Sequence, residues 1–279
     1  MRSLLFAPAV RPDLVAKLPR SRPGAGVIDL EDGVPEGRKD AARAALAGQV
    51  AGLLERHPGF AVCVRVNAPP TASFAADVAA LPAGLTAVVV PKVEDAQQLE
   101  QVARALAAAG HDGLGVVAGI ETARGVLDVR ALLGGPVTTA YFGAEDYVAD
   151  LGGVRTKHST EVLYARSRVA LACRVAGIPC LDQVVVDIHD DDAFRADARQ
   201  GRELGYTGKL CVHPRQVALA DEAFLPSPEQ LARARATLEA AAAAARDGQG
   251  VIVFDGAMVD EPMLVAARRL IAGADGPGN

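Results

Sequence analysis

No segment of the 279-residue chain approaches the roughly 18 uninterrupted apolar residues of a membrane-spanning helix, so no membrane span is expected. The N-terminal apolar run is short and broken by Pro8, which argues against a signal peptide. Positive charge is not in excess. Twenty-nine Lys and Arg stand against 34 Asp and Glu, and the net charge of −5 points away from nucleic acid and from anionic membranes. Cysteine is scarce: Cys63, Cys173, Cys180 and Cys211 form no CxxC pair, and a reducing cytoplasm is the expected compartment. Neither GxGxxG nor GxxxxGK[ST] occurs, so a dinucleotide fingerprint and a P-loop are both missing. The five histidines show no HxxxH or HExxH spacing, which weakens a zinc reading, and no GxSxG elbow marks a serine hydrolase.

What the chain has is hydrophobic content, at 50% of residues, enough for a sizeable core. Eight short apolar runs alternate with amphipathic stretches. The runs are Ser3–Ala7, Gly26–Leu30, Ala61–Val66, Ala87–Val90, Gly115–Ile120, Thr139–Phe142, Leu181–Val186 and Gly208–Val212. Most are continuously apolar, as buried parallel strands are. Helical stretches such as Gly37–Arg56, Ala96–Ala109 and Thr160–Ala176 lie between them. This pattern predicts a (β/α)₈ TIM barrel over residues 1–225. The rival is a doubly wound open sheet, which would call for an early glycine fingerprint. Residues 226–279 are expected to form a helical extension or lid. In it, Ser227–Arg246 reads as one long helix, Asp247–Gly250 as a break, Val251–Phe254 as a short apolar segment, Asp255–Gly256 as a turn and Glu261–Ala272 as a last helix.

In a barrel the active site forms where strands end, and charge is concentrated there. The second strand ends in Asp29, Glu31 and Asp32, the third in Arg65 and Asn67, and the fourth in Lys92 and Glu94. The fifth ends in Glu121, the sixth in Gly143, Ala144, Glu145 and Asp146, the seventh in Asp187 and the eighth in His213. Any one such charge can simply mark where the chain meets water. Carboxylates from several strands around an arginine instead make a mouth suited to a hard cation such as Mg²⁺, which prefers oxygen ligands and retains water. A Schiff-base lysine, Lys92 or Lys209, is a second possibility.

The segments LLFAPAVRPD, VIDLEDGV, VRVN, VVVPKVE, GIETARG, FGAEDYVADLG, YARSRVALACRVAG, GKLCVHPRQ and FDGAMVDEP occur in this order. From about Ser3 to Ile271 the chain thereby resembles the citrate lyase β-subunit-like proteins of the HpcH/HpaI aldolase superfamily. The resemblance implies a modified TIM barrel, often trimeric, with Mg²⁺ as cofactor and a CoA thioester as substrate. It implies metal ligation by Glu121 and Asp146, with Glu31 and Asp32 holding metal-bound waters. Arg65 would face the thioester oxygen or a substrate carboxylate. Phe6, Arg11 and Lys17 would contact CoA, and Asp260 would be an acid/base supplied from the C-terminal lid. One departure is PAVRPD in the first loop, where PGNRPD is common, so that Ala9 and Val10 replace Gly and Asn.

The activity implied is carbon–carbon cleavage of a short 3-hydroxyacyl-CoA, such as citramalyl-, malyl-, citryl- or 3-hydroxy-3-methylglutaryl-CoA. Two alternatives stand beside it: an aldolase on free 2-keto acids, and a non-catalytic subunit of a larger lyase complex.

Overall fold

The computed structural model describes residues 1–246 and 250–274. Residues 247–249, in the expected break, and 275–279, the end of the expected extension, lie outside the described residues.

Eight parallel strands close into a barrel in chain order: β1 (Ser3–Pro8), β2 (Ala25–Asp29), β3 (Val62–Arg65), β4 (Ala87–Val90), β5 (Gly115–Ile120), β6 (Val137–Phe142), β7 (Cys180–Asp182) and β8 (Gly208–Cys211). The ring closes by β1 on β8, with Ser3 opposite Lys209 and Leu5 opposite Cys211. The intervening helices are α1 (Pro12–Val15), α2 (Lys39–Arg56), α3 (Ser73–Ala79), α4 (Ala96–Ala108), α5 (Ala123–Leu132), α6 (Ala144–Leu151), α7 (Leu163–Ala176) and α8 (Asp191–Leu204), and α9 (Pro214–Phe224) follows β8. The fold is a (β/α)₈ TIM barrel, and the open sheet is excluded. Among the described residues no helix is long and apolar enough to cross a membrane.

Local chemistry sets the element boundaries. Asp95, Thr122 and Asp190 cap α4, α5 and α8 by accepting from the backbone N–H of Gln98, Gly125 and Ala193. Because Thr122 is a cap, α5 starts at Ala123, and Glu121 is the single residue between the end of β5 and that cap. Short 3₁₀ turns at Glu36–Arg38 and Thr160–Val162 precede α2 and α7, so those helices begin later than the expected Gly37 and Thr160.

β7 is the clearest departure. A strand to Val186 is expected, but β7 ends at Asp182. Side-chain donors take over the carbonyls beyond it: Lys209 Nζ donates to Gln183 O at 2.7 Å and Gln216 Nε2 to Val185 O at 2.8 Å. Asp187, expected at a strand end, is therefore an exposed loop residue.

Side chains two apart on a strand share a face. The inward set Leu4, Val27, Cys63, Val89, Val117, Tyr141, Leu181 and Leu210 forms one apolar cluster inside the barrel. One step of two along β2 and β3 leads from Val27 to Asp29 and from Cys63 to Arg65, so the barrel is apolar below and charged at its mouth.

Outside β7 and β8 lies a buried ionic network. Arg166 of α7, fully buried, donates Nε to Asp182 Oδ1 at 2.8 Å and Nη2 to Asp182 Oδ2 at 2.5 Å. It also donates to Gln200 Oε1 at 2.6 Å. Lys209 Nζ bonds Asp197 and lies 3.2 Å from Asp182 Oδ2. With no exposed surface and three acceptors, Lys209 is a structural cation and not the Schiff-base lysine expected as a possibility.

The chain divides into two compact units, Met1–Asp221 and Glu222–Asn279. The second contains α10 (Pro228–Arg246), the hairpin strands β9 (Ile252–Phe254) and β10 (Ala257–Val259), and α11 (Glu261–Ala274). Ser227 Oγ accepts from Gln230 N at 3.2 Å and caps α10. Asp255 and Gly256 both have positive φ, 51° and 75°, as a two-residue hairpin turn requires. The return strand β10 is too short to be read from the sequence.

Removing one charge from a buried pair leaves the other uncompensated. Asp182→Asn is expected to lower the unfolding free energy by about 3–5 kcal/mol in urea titrations. A loss below about 1 kcal/mol, the worth of an exposed pair, would show that the network does not hold α7, β7 and β8 together.

Candidate active site

Asp29 and Arg65 are register partners across β2 and β3. The guanidinium donates Nε to Asp29 Oδ1 at 2.7 Å and Nη2 to Oδ2 at 2.8 Å, a two-pronged pair. Nη1 stands 2.8 Å from Glu31 Oε2, and Cζ lies 5.2 Å from the centre of the Phe6 ring. Asp29 also accepts from the backbone N–H of Glu31 and Gly33, both at 2.9 Å. Burial alone would raise the Asp29 carboxyl, but these donors outweigh it and hold the group below its usual range. Arg65 is thus a cation locked in one orientation, with spare N–H donors for the cavity.

Across the mouth, Lys92 sits at φ 53°, a left-handed conformation uncommon for lysine. Its Nζ donates to Glu31 Oε1 at 2.5 Å and stands 3.2 Å from Asp146 and 3.6 Å from Asp32. Its backbone N–H donates to Glu121 Oε1 at 2.8 Å. So engaged, the ammonium is held protonated: burial works against the charge, but Glu31, Asp146 and Glu121 raise its pKa. That removes Lys92 as a Schiff-base nucleophile.

Glu121 is buried at the end of β5, and Tyr141 Oη donates to its Oε1 at 3.0 Å. Burial first, then the charges of Asp146 and Glu31, push its carboxyl up to about 7 against the pull of Arg65 and Lys92. Gly143, which precedes α6, passes so close that a Cβ there would lie 2.7 Å from Glu121 Cβ. That glycine lets the α6 N-terminus, carrying Asp146 in its first turn, close over Glu121.

A cavity of about 430 Å³ opens among these groups. Asp29, Asp32, Arg65, Glu121 and Asp146 form its polar side, and Phe6, Val184, Leu210 and Val212 its apolar side. Of the expected site residues, Phe6, Asp32, Arg65, Glu121 and Asp146 line it, and Glu31 stands behind them, paired with Arg65 and Lys92. Arg11 and Lys17 do not line it; both are exposed, Arg11 is bonded to Asp13 at 2.9 Å, and Lys17 Nζ is 4.0 Å from the same carboxylate. A separate cavity of about 470 Å³ lies beside their loop, lined by Val10, Pro12, Arg38, Gln49 and Arg56 among others. Asp260 belongs to the second unit, where its carbonyl accepts from Met263 and Leu264 N–H at the head of α11. His213 is half-buried and does not line the cavity, Glu145 pairs with Arg155, and Arg124 with Asp95.

Two site residues went unassigned by sequence reasoning. Asp29 was visible as a strand-end acid, but its pairing depends on the β2–β3 register. Tyr141 was hidden inside an apolar run.

The family model for HpcH/HpaI aldolase/citrate lyase matches residues 2–214. The chain belongs to this family. A relative, the citrate lyase subunit beta-like protein of Deinococcus radiodurans, is 53% identical over 275 residues, covering 98% of this chain and 96% of that protein. The mitochondrial citramalyl-CoA lyase of Rattus norvegicus is 28% identical, covering 97% and 85%. Among solved structures, CitE of Mycobacterium tuberculosis in complex with magnesium, acetoacetate and coenzyme A is similar with a TM-score of 0.83 and 34% identity, over 99% of this chain and 98% of that one.

Asp29 has a folded pKa below its unfolded value of about 3.9, so its stabilisation is complete above that pH and is lost as pH falls through the folded pKa. Wild type is therefore expected to exceed Asp29→Asn in stability at about pH 7, with the gap narrowing below about pH 4. Urea unfolding across pH measures this. A gap unchanged down to about pH 2 contradicts it.

Proposed function

We propose that this protein is a Mg²⁺-dependent carbon–carbon lyase that cleaves, or in reverse forms, a short 3-hydroxyacyl-CoA thioester. The observation that carries the reading is one cavity walled by a paired arginine, a buried glutamate and a half-buried aspartate. The magnesium, acetoacetate and coenzyme A of the CitE relative support it, as does the citramalyl-CoA lyase relative.

The donor set fits a hard divalent cation. Asp29, Glu31, Asp32, Glu121 and Asp146 outnumber Arg65 and Lys92. Among the described residues no three His, Cys, Asp or Glu side chains converge as a cage, so Glu121 and Asp146 would hold Mg²⁺ with water completing its shell. When bound, the ion would supply a Lewis acid and a template for the 3-oxygen and an adjacent substrate carboxylate.

The chain's own residues supply the rest. Cleavage removes the 3-hydroxyl proton, breaks the C2–C3 bond, forms a carbonyl at C3 and leaves the electron pair as a thioester enolate, which is then protonated. Arg65, fixed by Asp29, faces the thioester oxygen where that negative charge develops, a role worth about 3 kcal/mol by analogy with oxyanion donors. Asp260 takes the hydroxyl proton in cleavage and returns it in condensation. Glu31 and Asp32 hold waters at the cation. Phe6, Val184, Leu210 and Val212 offer an apolar wall to the acyl chain. Arg11 and Lys17 bind CoA phosphates, and the cavity beside their loop, with Arg38 and Arg56, supports a place for the nucleotide end.

We read the enzyme as a cytoplasmic homotrimer, with Asp260 completing the site of a neighbouring copy. The four free cysteines support a reducing compartment.

A panel of 3-hydroxyacyl-CoA thioesters, assayed with Mg²⁺ for acetyl-CoA release, tests the activity. Turnover is expected, and Glu121→Ala should abolish it with the fold intact; a fully active variant would remove Glu121 from the site. Arg65→Lys is expected to lower kcat by about 100-fold, because a point charge does not replace the fork. An effect confined to KM would make Arg65 a uniform binding group. For Asp260, inactive Asp260→Asn and Glu121→Ala chains are unfolded and refolded together. Recovered activity is expected of a shared site, and proven hetero-oligomers without activity exclude one.

A further inference from the structure

A carboxylate that turns one oxygen to a cation needs its other oxygen held. Glu121 Oε1 accepts two hydrogen bonds: the Lys92 N–H at the end of β4 and the Tyr141 phenol on β6. The phenol reaches it by a specific route. Tyr141 and Gly119 are register partners across β5 and β6. Gly119 on β5 and Glu121, one residue past its end, are two apart and share the inward face. A Cβ at position 119 would lie 2.6 Å from Tyr141 Cζ and 2.9 Å from Glu121 Oε1. Only because residue 119 has no side chain can the phenol lie across β5 beneath Glu121. The Tyr141 ring is itself packed in the barrel's apolar cluster, which denies it another rotamer at low cost.

We propose that Tyr141, admitted by Gly119, is a positioning residue that pins Glu121 Oε1 and leaves Oε2 for the cation. This rests on the reading that Glu121 is a metal ligand. Partners that orient a ligand by hydrogen bonding set metal affinity as well as rate, typically by 10–100-fold.

The test is calorimetric titration of the full chain with Mg²⁺ alone, and with Mn²⁺ as a second probe. Four proteins are compared: wild type, Tyr141→Phe, Gly119→Ala and Glu121→Gln. Tyr141→Phe keeps the ring and so the core filling, and its urea midpoint is measured alongside. The expected result is cation affinity weakened by about 10–100-fold in Tyr141→Phe, with kcat substantially recovered at saturating Mg²⁺. Gly119→Ala, which displaces the phenol without removing its hydroxyl, should shift affinity in the same direction. Wild-type affinity in either folded variant, with Glu121→Gln impaired, overturns the role of Tyr141 alone. Wild-type affinity in Glu121→Gln overturns the underlying ligand assignment.

Discussion

Burying a carboxylate costs several kcal/mol unless cations or hydrogen-bond donors meet it, and the mouth of this barrel buries three: Asp29, Glu31 and Glu121. The arrangement around them follows from how each is met. Asp29 receives the two-pronged Arg65 and two backbone N–H groups, and is the best satisfied. Glu31 shares Arg65 with Asp29 and takes the Lys92 ammonium. Glu121 has only neutral donors in contact, so burial first, and then the charges of Asp146 and Glu31, push its carboxyl up to about 7. Of the three buried acids, Glu121 has no cation in hydrogen-bond contact, and it shares the cavity wall with the half-buried Asp146. That is where a divalent cation gains most.

The scaffold below meets a different demand. Inward positions on lower strand layers are apolar and pack the barrel shut, so charge is confined to the last inward step. Outside β7 and β8, the Arg166–Asp182–Asp197–Lys209 network ties two short strands to α7 and α8. The two ionic systems share an economy of design: each arginine is fixed by a bidentate aspartate, so neither moves. In the lower network that rigidity serves the fold, and in the upper one it aims a cation at the cavity.

Much of this was legible in the sequence. Eight apolar runs carry strand count and order because buried parallel strands need continuous apolar residues, and Glu121 and Asp146, read as strand-end acids, both line the cavity. The misreadings have local causes. The end of β7 was overextended because Val184–Val186 is apolar, while the side chains that capture its carbonyls, Lys209 and Gln216, come from later in the chain. Lys209 looked like any strand lysine until the fold surrounded it with acceptors. The partnership of Tyr141 with Glu121 depends on register and on the missing side chain of Gly119, neither of which a linear reading contains.

On the proposed function, Glu121 and Asp146 together hold one divalent cation facing Arg65. Crystals soaked in Mn²⁺ and measured for anomalous scattering at the manganese edge test it most directly. A single strong peak is expected within coordination distance of carboxylate oxygens from both Glu121 and Asp146. A cation bound elsewhere on the barrel, or a mouth that stays empty at saturating Mn²⁺, would contradict it.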